Sequence, residues 1–450
     1  MRGRLALWVG AVVTSGAVGV LVALAQLGGT LSRPGVAAAI ALLVTALIGL
    51  AGLRGNGFLV LRRAGPGVQV AALALALAFF VGVFVASPDL QNEAQRTITL
   101  LTVSVGAFLL GAFFAVLLWP TSRRGLLPRS GSDVIHGRVV LAIVCVLALA
   151  ALLNVATGSA PLLSANVNSA RFSGDGGVLG RLWTWIIGGL EWSAVAAGVS
   201  VVRARAIDQR TVVIFLMGTL PLVLLAGRSF LLVIALAILV AVAACRRVSL
   251  PRLCLAIVIG IGALGAAGEY RLAHSTAPGT RATSTLATIF QSAATGPEVF
   301  ATVLARVPGD IPFQRGEFLV RDFEALLPFH PLGKPETADY WVTQVIRGRD
   351  ILIVGGSPPT LAGGLYIDFG VPGIILGCAV LGAFLVALYR WVVRVRTIGA
   401  MILYCYLSAY VGLAAYSYIS LKPEMLMAVG LAYLVHRLER RRYTAGYTLT

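Results

Sequence analysis

This sequence predicts an all-α polytopic membrane protein of about twelve transmembrane helices, with one long, partly helical extracytoplasmic loop between helices nine and ten. Three observations carry that prediction. The chain is 58% hydrophobic and only 12% charged, with a mean hydropathy of +0.90, which belongs to a membrane protein and not to a soluble domain. Apolar runs of about 20 residues recur along it, and a helix of that length crosses a ~30 Å hydrocarbon core. Arginines gather between alternate runs, as the positive-inside bias requires.

Taken in order, the first run follows a basic start and ends Ala-Leu-Ala before Gln26, which imitates a secretory signal. Leu5 to Ala25 is long enough to span, so it reads as an uncleaved first helix over 5–27. Further runs predict helices over 36–53, 68–87, 97–119, 139–155 and 180–202. Then comes a 34-residue stretch, Thr211–Ala244, with Arg228 as its only charge. It is too long for one helix and suits two short ones, 211–226 and 229–244, turning at Ala226-Gly227-Arg228-Ser229. The last helices fall at 253–268, 364–389, 398–420 and 424–436. The chain therefore divides into residues 1–268, with nine helices and an outer loop 156–179; the long loop 269–363; and 364–450, with three helices and a basic tail.

With both termini cytoplasmic, the inner segments hold 22 cations and the short outer ones six. That orientation explains the excess of 36 basic over 18 acidic residues and leaves no need for a nucleic-acid partner. The five cysteines lie in apolar spans or at their cytoplasmic ends, which predicts no disulfide framework. Four scattered histidines, and no P-loop, GxSxG, HExxH or Mg²⁺-type carboxylate cluster, predict neither a metal nor a cofactor.

Arg228 runs against the charge bias. It would sit at the outer end of two short helices, recessed below the surface, where a guanidinium is either functional or snorkelling to lipid phosphates. Glu191, the only clear acid inside the bilayer, is either a proton-coupling group or a paired structural one. The long loop contains Arg315–Leu327, amphipathic and suited to the outer leaflet, with Arg321 pairing to neighbouring acids. Facing outward are Arg171, Arg228, Lys334 and His330, with Asp175, Glu317, Asp322 and Glu324 nearby in sequence. Cations around a cleft at membrane level suit a lipid pyrophosphate, and an acid or His330 could take a proton from an attacking hydroxyl.

Two stretches, "GEFLVRDFEALLPFHPLGKPETADYW" (Gly316–Trp341) and "GGSPPTLAGGLYIDFGVPGIILG" (Gly355–Gly377), resemble the signature of the O-antigen polymerase (Wzy-like) family. The matching features are Gly316/Phe318, Pro328 with Lys334-Pro335, Pro358/Pro359, and Leu365-Tyr366-Ile367-Asp368-Phe369-Gly370. "PLLS" with Arg171, and Gly227-Arg228-Ser229, recur in these polymerases too. Members often carry Glu before the Leu-Tyr pair, where this chain has Gly364.

The resemblance implies a metal-independent glycosyltransferase of the cytoplasmic membrane. It would polymerise polyprenyl-pyrophosphate-linked oligosaccharide repeat units on the outer side, with a chain-length regulator and a flippase as protein partners to test. Arg171, Arg228 and Lys334 would hold pyrophosphates, Tyr366 and Asp368 would contact substrate, and His330 or Asp322 would be the base. A ligase with the same chemistry, a transporter and a structural scaffold are the competing classes. The lack of internal symmetry weighs against the transporter.

Overall fold

The computed structural model describes residues 64–85, 94–118, 137–156, 161–164, 178–205, 207–225, 227–245, 285–324, 327, 336–349 and 356–447. These residues are helical, without strands. In chain order the helices are α1 (Pro66–Val85), α2 (Ala94–Leu118), α3 (Gly137–Asn154), α4 (Val178–Ala204), α5 (Gln209–Leu224) and α6 (Arg228–Cys245). Next come α7 (Thr285–Arg306), α8 (Glu317–Glu324) and α9 (Ala338–Trp341), which runs on as a wider turn to Ile346. The last three are α10 (Thr360–Val395), α11 (Ile398–Leu413) and α12 (Pro423–Tyr447).

Nine of these fall where apolar runs predict them. The turn that separates α5 from α6 falls at the expected glycine, and Asp208 caps α5 by accepting from the Thr211 amide (3.0 Å). α11 ends at Leu413, earlier than the expected 420, and a turn over 414–422 leads into α12. The predicted helices 5–27, 36–53 and 253–268 lie outside the described residues. α2, α4 and α10 contain stretches long and apolar enough to cross a membrane, and α1, α3, α5, α6 and α11 have shorter apolar stretches. Phe114, Leu118, Leu149, Leu220, Leu376 and Val380 point outward as bare apolar surface, the pattern of a bundle whose solvent is hydrocarbon.

Small residues set the closest helix approaches. α10 runs along α2, where a Cβ on Gly111 would lie 1.9 Å from the Ala379 carbonyl oxygen and one on Gly382 would lie 2.0 Å from that of Phe108. Glycine at these two positions lets the backbones of α2 and α10 approach closely. At Gly370 α10 kinks, with φ 66° and ψ −153°, a conformation essentially reserved for glycine.

Several helices share one level at the end of the bundle that carries Arg203, Arg394, Arg396 and Arg437. The Arg203 guanidinium donates to the Arg396 carbonyl (3.0 Å), and Thr397, the cap of α11, hydrogen-bonds His436 Nδ1 (2.8 Å). Glu439 accepts from the first amides of α11, at Ile398 and Gly399.

α7, α8 and α9 close the opposite end. α7 packs on α1, and its Gly296 faces Thr360 and the carbonyls of Ala415 and Tyr416. α8 is shorter than the expected amphipathic segment, and it buries Arg321, Asp322 and Glu324 as well as Phe318. Its charged side faces protein, so it is not a helix floating on a lipid surface. Its N-terminal amides are satisfied from another helix: Asp368 accepts from Gly316, Phe318 and Leu319 at 3.0–3.2 Å.

Candidate functional site

Buried charge in an apolar bundle needs a compensating reason, and here it gathers around one cavity of about 90 Å³. Its walls come from separate elements: Glu191 of α4, Ser229 and Phe230 at the start of α6, Tyr410 of α11, and Lys422 and Glu424 at the start of α12. Asp339 of α9 and the 356–358 backbone add to the wall.

Helix lengths explain the recess. At ~1.5 Å per residue, Glu191 stands about 20 Å along α4 from Ala204, Tyr410 about 20 Å along α11 from Thr397, and Glu424 about 18 Å along α12 from His436. Those three reference residues belong to the level tied together by Arg203, Arg396 and Glu439. The cavity therefore lies about 20 Å from that end, within the reach of a ~30 Å hydrocarbon core.

Gly188 makes the convergence sterically feasible. A Cβ there would lie 2.2 Å from the Glu424 carbonyl oxygen, so only glycine lets the first turn of α12 seat against α4. Glu191 is three residues on, on the same face of α4, and thus meets the start of α12.

Glu191 is fully buried. Its Oε2 accepts from the Tyr406 hydroxyl (2.6 Å), and its Oε1 has no hydrogen-bond partner. Tyr406 and Tyr410 stand one turn apart with ring centroids 5.1 Å apart. The Lys422 ammonium sits 4.6 Å from the centroid of the Tyr418 ring. Asp322, Asp339, Glu424 and Glu191 are the acids whose charges act on it.

Behind Tyr418 lies Asp322, which takes part in the site through other residues. Its Oδ1 accepts from the Ala338 amide (2.7 Å), and its Oδ2 accepts from the hydroxyls of Tyr418 (2.9 Å) and Ser420 (2.6 Å). One buried carboxylate thus fixes α9 against the turn that carries Lys422. Arg321 lies over the Trp341 ring (5.1 Å), and burial lowers its pKa against the pull of Glu336 and other acids. Gly364 lies against Tyr418 and Phe318.

The residues singled out from sequence divide into three groups. The backbone of Arg228 opens α6, and its chain neighbour Ser229 lines the cavity. Tyr366 and Asp368 lie elsewhere on α10. The Tyr366 hydroxyl donates to the Val307 carbonyl (3.3 Å) and accepts from Arg96 (2.9 Å), while Asp368 holds α8. Arg171, Lys334, His330 and Asp175 lie outside the described residues.

Lys422, Glu424, Tyr410 and Asp339 escaped the sequence reading as site residues. A signal existed for two of them: Lys422 and Glu424 are the only charges between Thr397 and Val435, a stretch that also holds tyrosines 404, 406, 410, 416 and 418. Among the described residues no three His, Cys, Asp or Glu side chains converge as a metal site.

An apolar helical bundle that encloses a charged, tyrosine-lined cavity at membrane depth is an integral-membrane protein built around a polar binding or reaction site. Its family is identified by sequence comparison: the model described as "Putative O-antigen polymerase" matches residues 68–415, and the chain belongs to that family. It is accordingly a membrane enzyme of polysaccharide biosynthesis. No curated protein and no solved structure matches the chain. The family match ends at Ala415, so Lys422 and Glu424 lie just beyond it.

Proposed function

We propose that this protein polymerises polyprenyl-diphosphate-linked oligosaccharide repeat units on the outer side of the cytoplasmic membrane, and that the bond forms at the cavity beside Arg228. The observation that carries this reading is a cavity in the bundle that encloses Lys422 with Glu191, Glu424 and Asp339, in a chain of the O-antigen polymerase family. In this reading the end tied together by Arg203 and Arg396 is cytoplasmic, and α7–α9 cover the outer side.

The reaction joins two lipid-linked saccharides. A sugar hydroxyl of the acceptor attacks the anomeric carbon of the donor. The bond from that carbon to the diphosphate oxygen breaks, and the electron pair leaves with the polyprenyl diphosphate. Arg228, with Arg171 and Lys334, holds the diphosphate and stabilises the charge that develops on it; a guanidinium does so through paired hydrogen bonds. The proton of the attacking hydroxyl passes to a base, for which Glu424 at the cavity wall and His330 are the groups we propose. Asp322, occupied by three donors, positions Tyr418 and the Lys422 turn. Because diphosphate is a good leaving group, orientation of the two substrates supplies much of the rate.

Reconstitution tests this. Purified protein in vesicles, supplied with isolated lipid-linked repeat units, should give a ladder of longer chains and release one polyprenyl diphosphate per bond formed. Substrate moved across the bilayer without lengthening would mean a transporter. Transfer only to a different acceptor would mean a ligase.

A further inference from the structure

The cavity has the wrong charge for the group that defines the substrate. Glu191, Glu424 and Asp339 line it against one ammonium, Lys422. Three acid side chains offer a diphosphate no counter-charge in either protonation state, and Lys422 is the one cation among the lining residues. Something else belongs there.

Glu191 says what. Glu191 lines the cavity, its Oε1 is buried without a hydrogen-bond partner, and Oε2 is already satisfied by Tyr406. A buried acceptor left without a donor is costly. A bound ligand that donates a hydrogen bond would relieve that cost. Ionised diphosphate oxygens only accept, whereas sugar hydroxyls donate. The rest of the lining fits a sugar too. Phe230, Tyr410, Tyr416 and Tyr418 offer aromatic surface for the C–H faces of a ring, and Lys422 offers a donor to hydroxyl or ring oxygens. At about 90 Å³ the space takes the edge of a sugar ring and not an oligosaccharide, since sites that enclose whole drug-sized ligands run to ~300 Å³ and more.

We propose that the cavity is a subsite for a sugar of the substrate, with Glu191 as its deepest hydroxyl-binding group, and that the diphosphates lie outside it on the Arg228 side. This rests on the polymerase reading and specifies which part of the substrate enters the cavity.

Ligand-induced thermal stabilisation of the detergent-solubilised full chain separates the two parts of the substrate. One probe is the repeat-unit oligosaccharide, released by mild acid from the lipid-linked material of cells that lack this gene. The other is polyprenyl diphosphate without sugar. Wild type should be stabilised by both. Glu191→Gln turns its amide oxygen to Tyr406 and presents a donor to the cavity, so it should bind the oligosaccharide at least tenfold more weakly and keep its response to polyprenyl diphosphate. Tyr410→Phe, which leaves the Glu191–Tyr406 bond in place, should weaken the oligosaccharide severalfold and serves where Glu191→Gln fails to fold. If both variants bind the oligosaccharide like wild type, or lose the diphosphate response instead, the proposal is overturned. A wild type that answers to polyprenyl diphosphate but not to the oligosaccharide overturns it while leaving the polymerase reading intact. No response to either removes both.

Discussion

Replacing Asp322 separates a positioning group from a proton acceptor. The Asp322 carboxylate accepts from the Ala338 amide at 2.7 Å, the Tyr418 hydroxyl at 2.9 Å and the Ser420 hydroxyl at 2.6 Å, all buried. Hydrogen bonds to a charged group are worth about 1.5–3 kcal/mol each, and removing the acceptor also leaves buried donors unpaired. The three share one carboxylate and do not simply add, so about 4 kcal/mol is a reasonable figure for the set in Asp322→Ala. At about 1.4 kcal/mol per factor of ten, that is roughly a 10³-fold rise in local opening of the 414–422 turn and of α9. Hydrogen–deuterium exchange read by mass spectrometry on peptides covering those two segments measures it. Asp322→Asn retains an acceptor and offers an amide that the two hydroxyls can accept, so its exchange should rise by only about a factor of ten. Unchanged exchange in Asp322→Ala would refute the positioning role. Loss of transfer in Asp322→Asn with unchanged exchange would make Asp322 the base after all.

Four further outcomes are expected. Arg228→Ala should insert normally and lose polymer formation, with Arg228→Lys restoring only part of it, read from glycan ladders at matched protein levels. Gly111→Leu or Gly382→Leu puts side-chain carbon where the facing carbonyl already lies within about 2 Å, so both should lose monodisperse protein on size exclusion in detergent, while leucine at Gly430, which faces open space, should not. Gly370→Ala forces a Cβ into a glycine-only conformation beside the Phe313 ring, and should cost about 1–3 kcal/mol, read as a lower melting temperature. Lys422→Met leaves the acid side chains of the cavity without the one ammonium among its lining residues, and should lower the melting temperature.

The helices were legible because lipid allows few alternatives to an apolar helix, and because glycine and a lone arginine mark the α5–α6 turn. The shortness of α5 and α6 was legible for the same reason: the 34-residue apolar run divides into two short helices at that turn. The composition of the cavity was not legible. Glu191 stands out in the sequence as the one clear acid of an apolar span, but its neighbours do not: Gly188, three residues away, lets the backbone at Glu424 approach. That approach is a tertiary fact with no local signature. Asp368 shows the opposite error. It sits in a conspicuous Leu-Tyr-Ile-Asp-Phe-Gly motif, yet its carboxylate is taken up by amides about fifty residues earlier in the chain. Conspicuous spacing revealed the brace that holds the cover of the bundle, and the cavity beneath it came from ordinary-looking residues on four helices.

The central claim is that this chain lengthens lipid-linked glycans. The most direct test is the mass profile of lipid-linked saccharides in host cells with the gene deleted and then restored. The account predicts accumulation of single repeat units on polyprenyl diphosphate with no long chains, reversed by the wild-type gene and not by Arg228→Ala. Long chains stranded on the lipid, or a profile unchanged by the deletion, would contradict it.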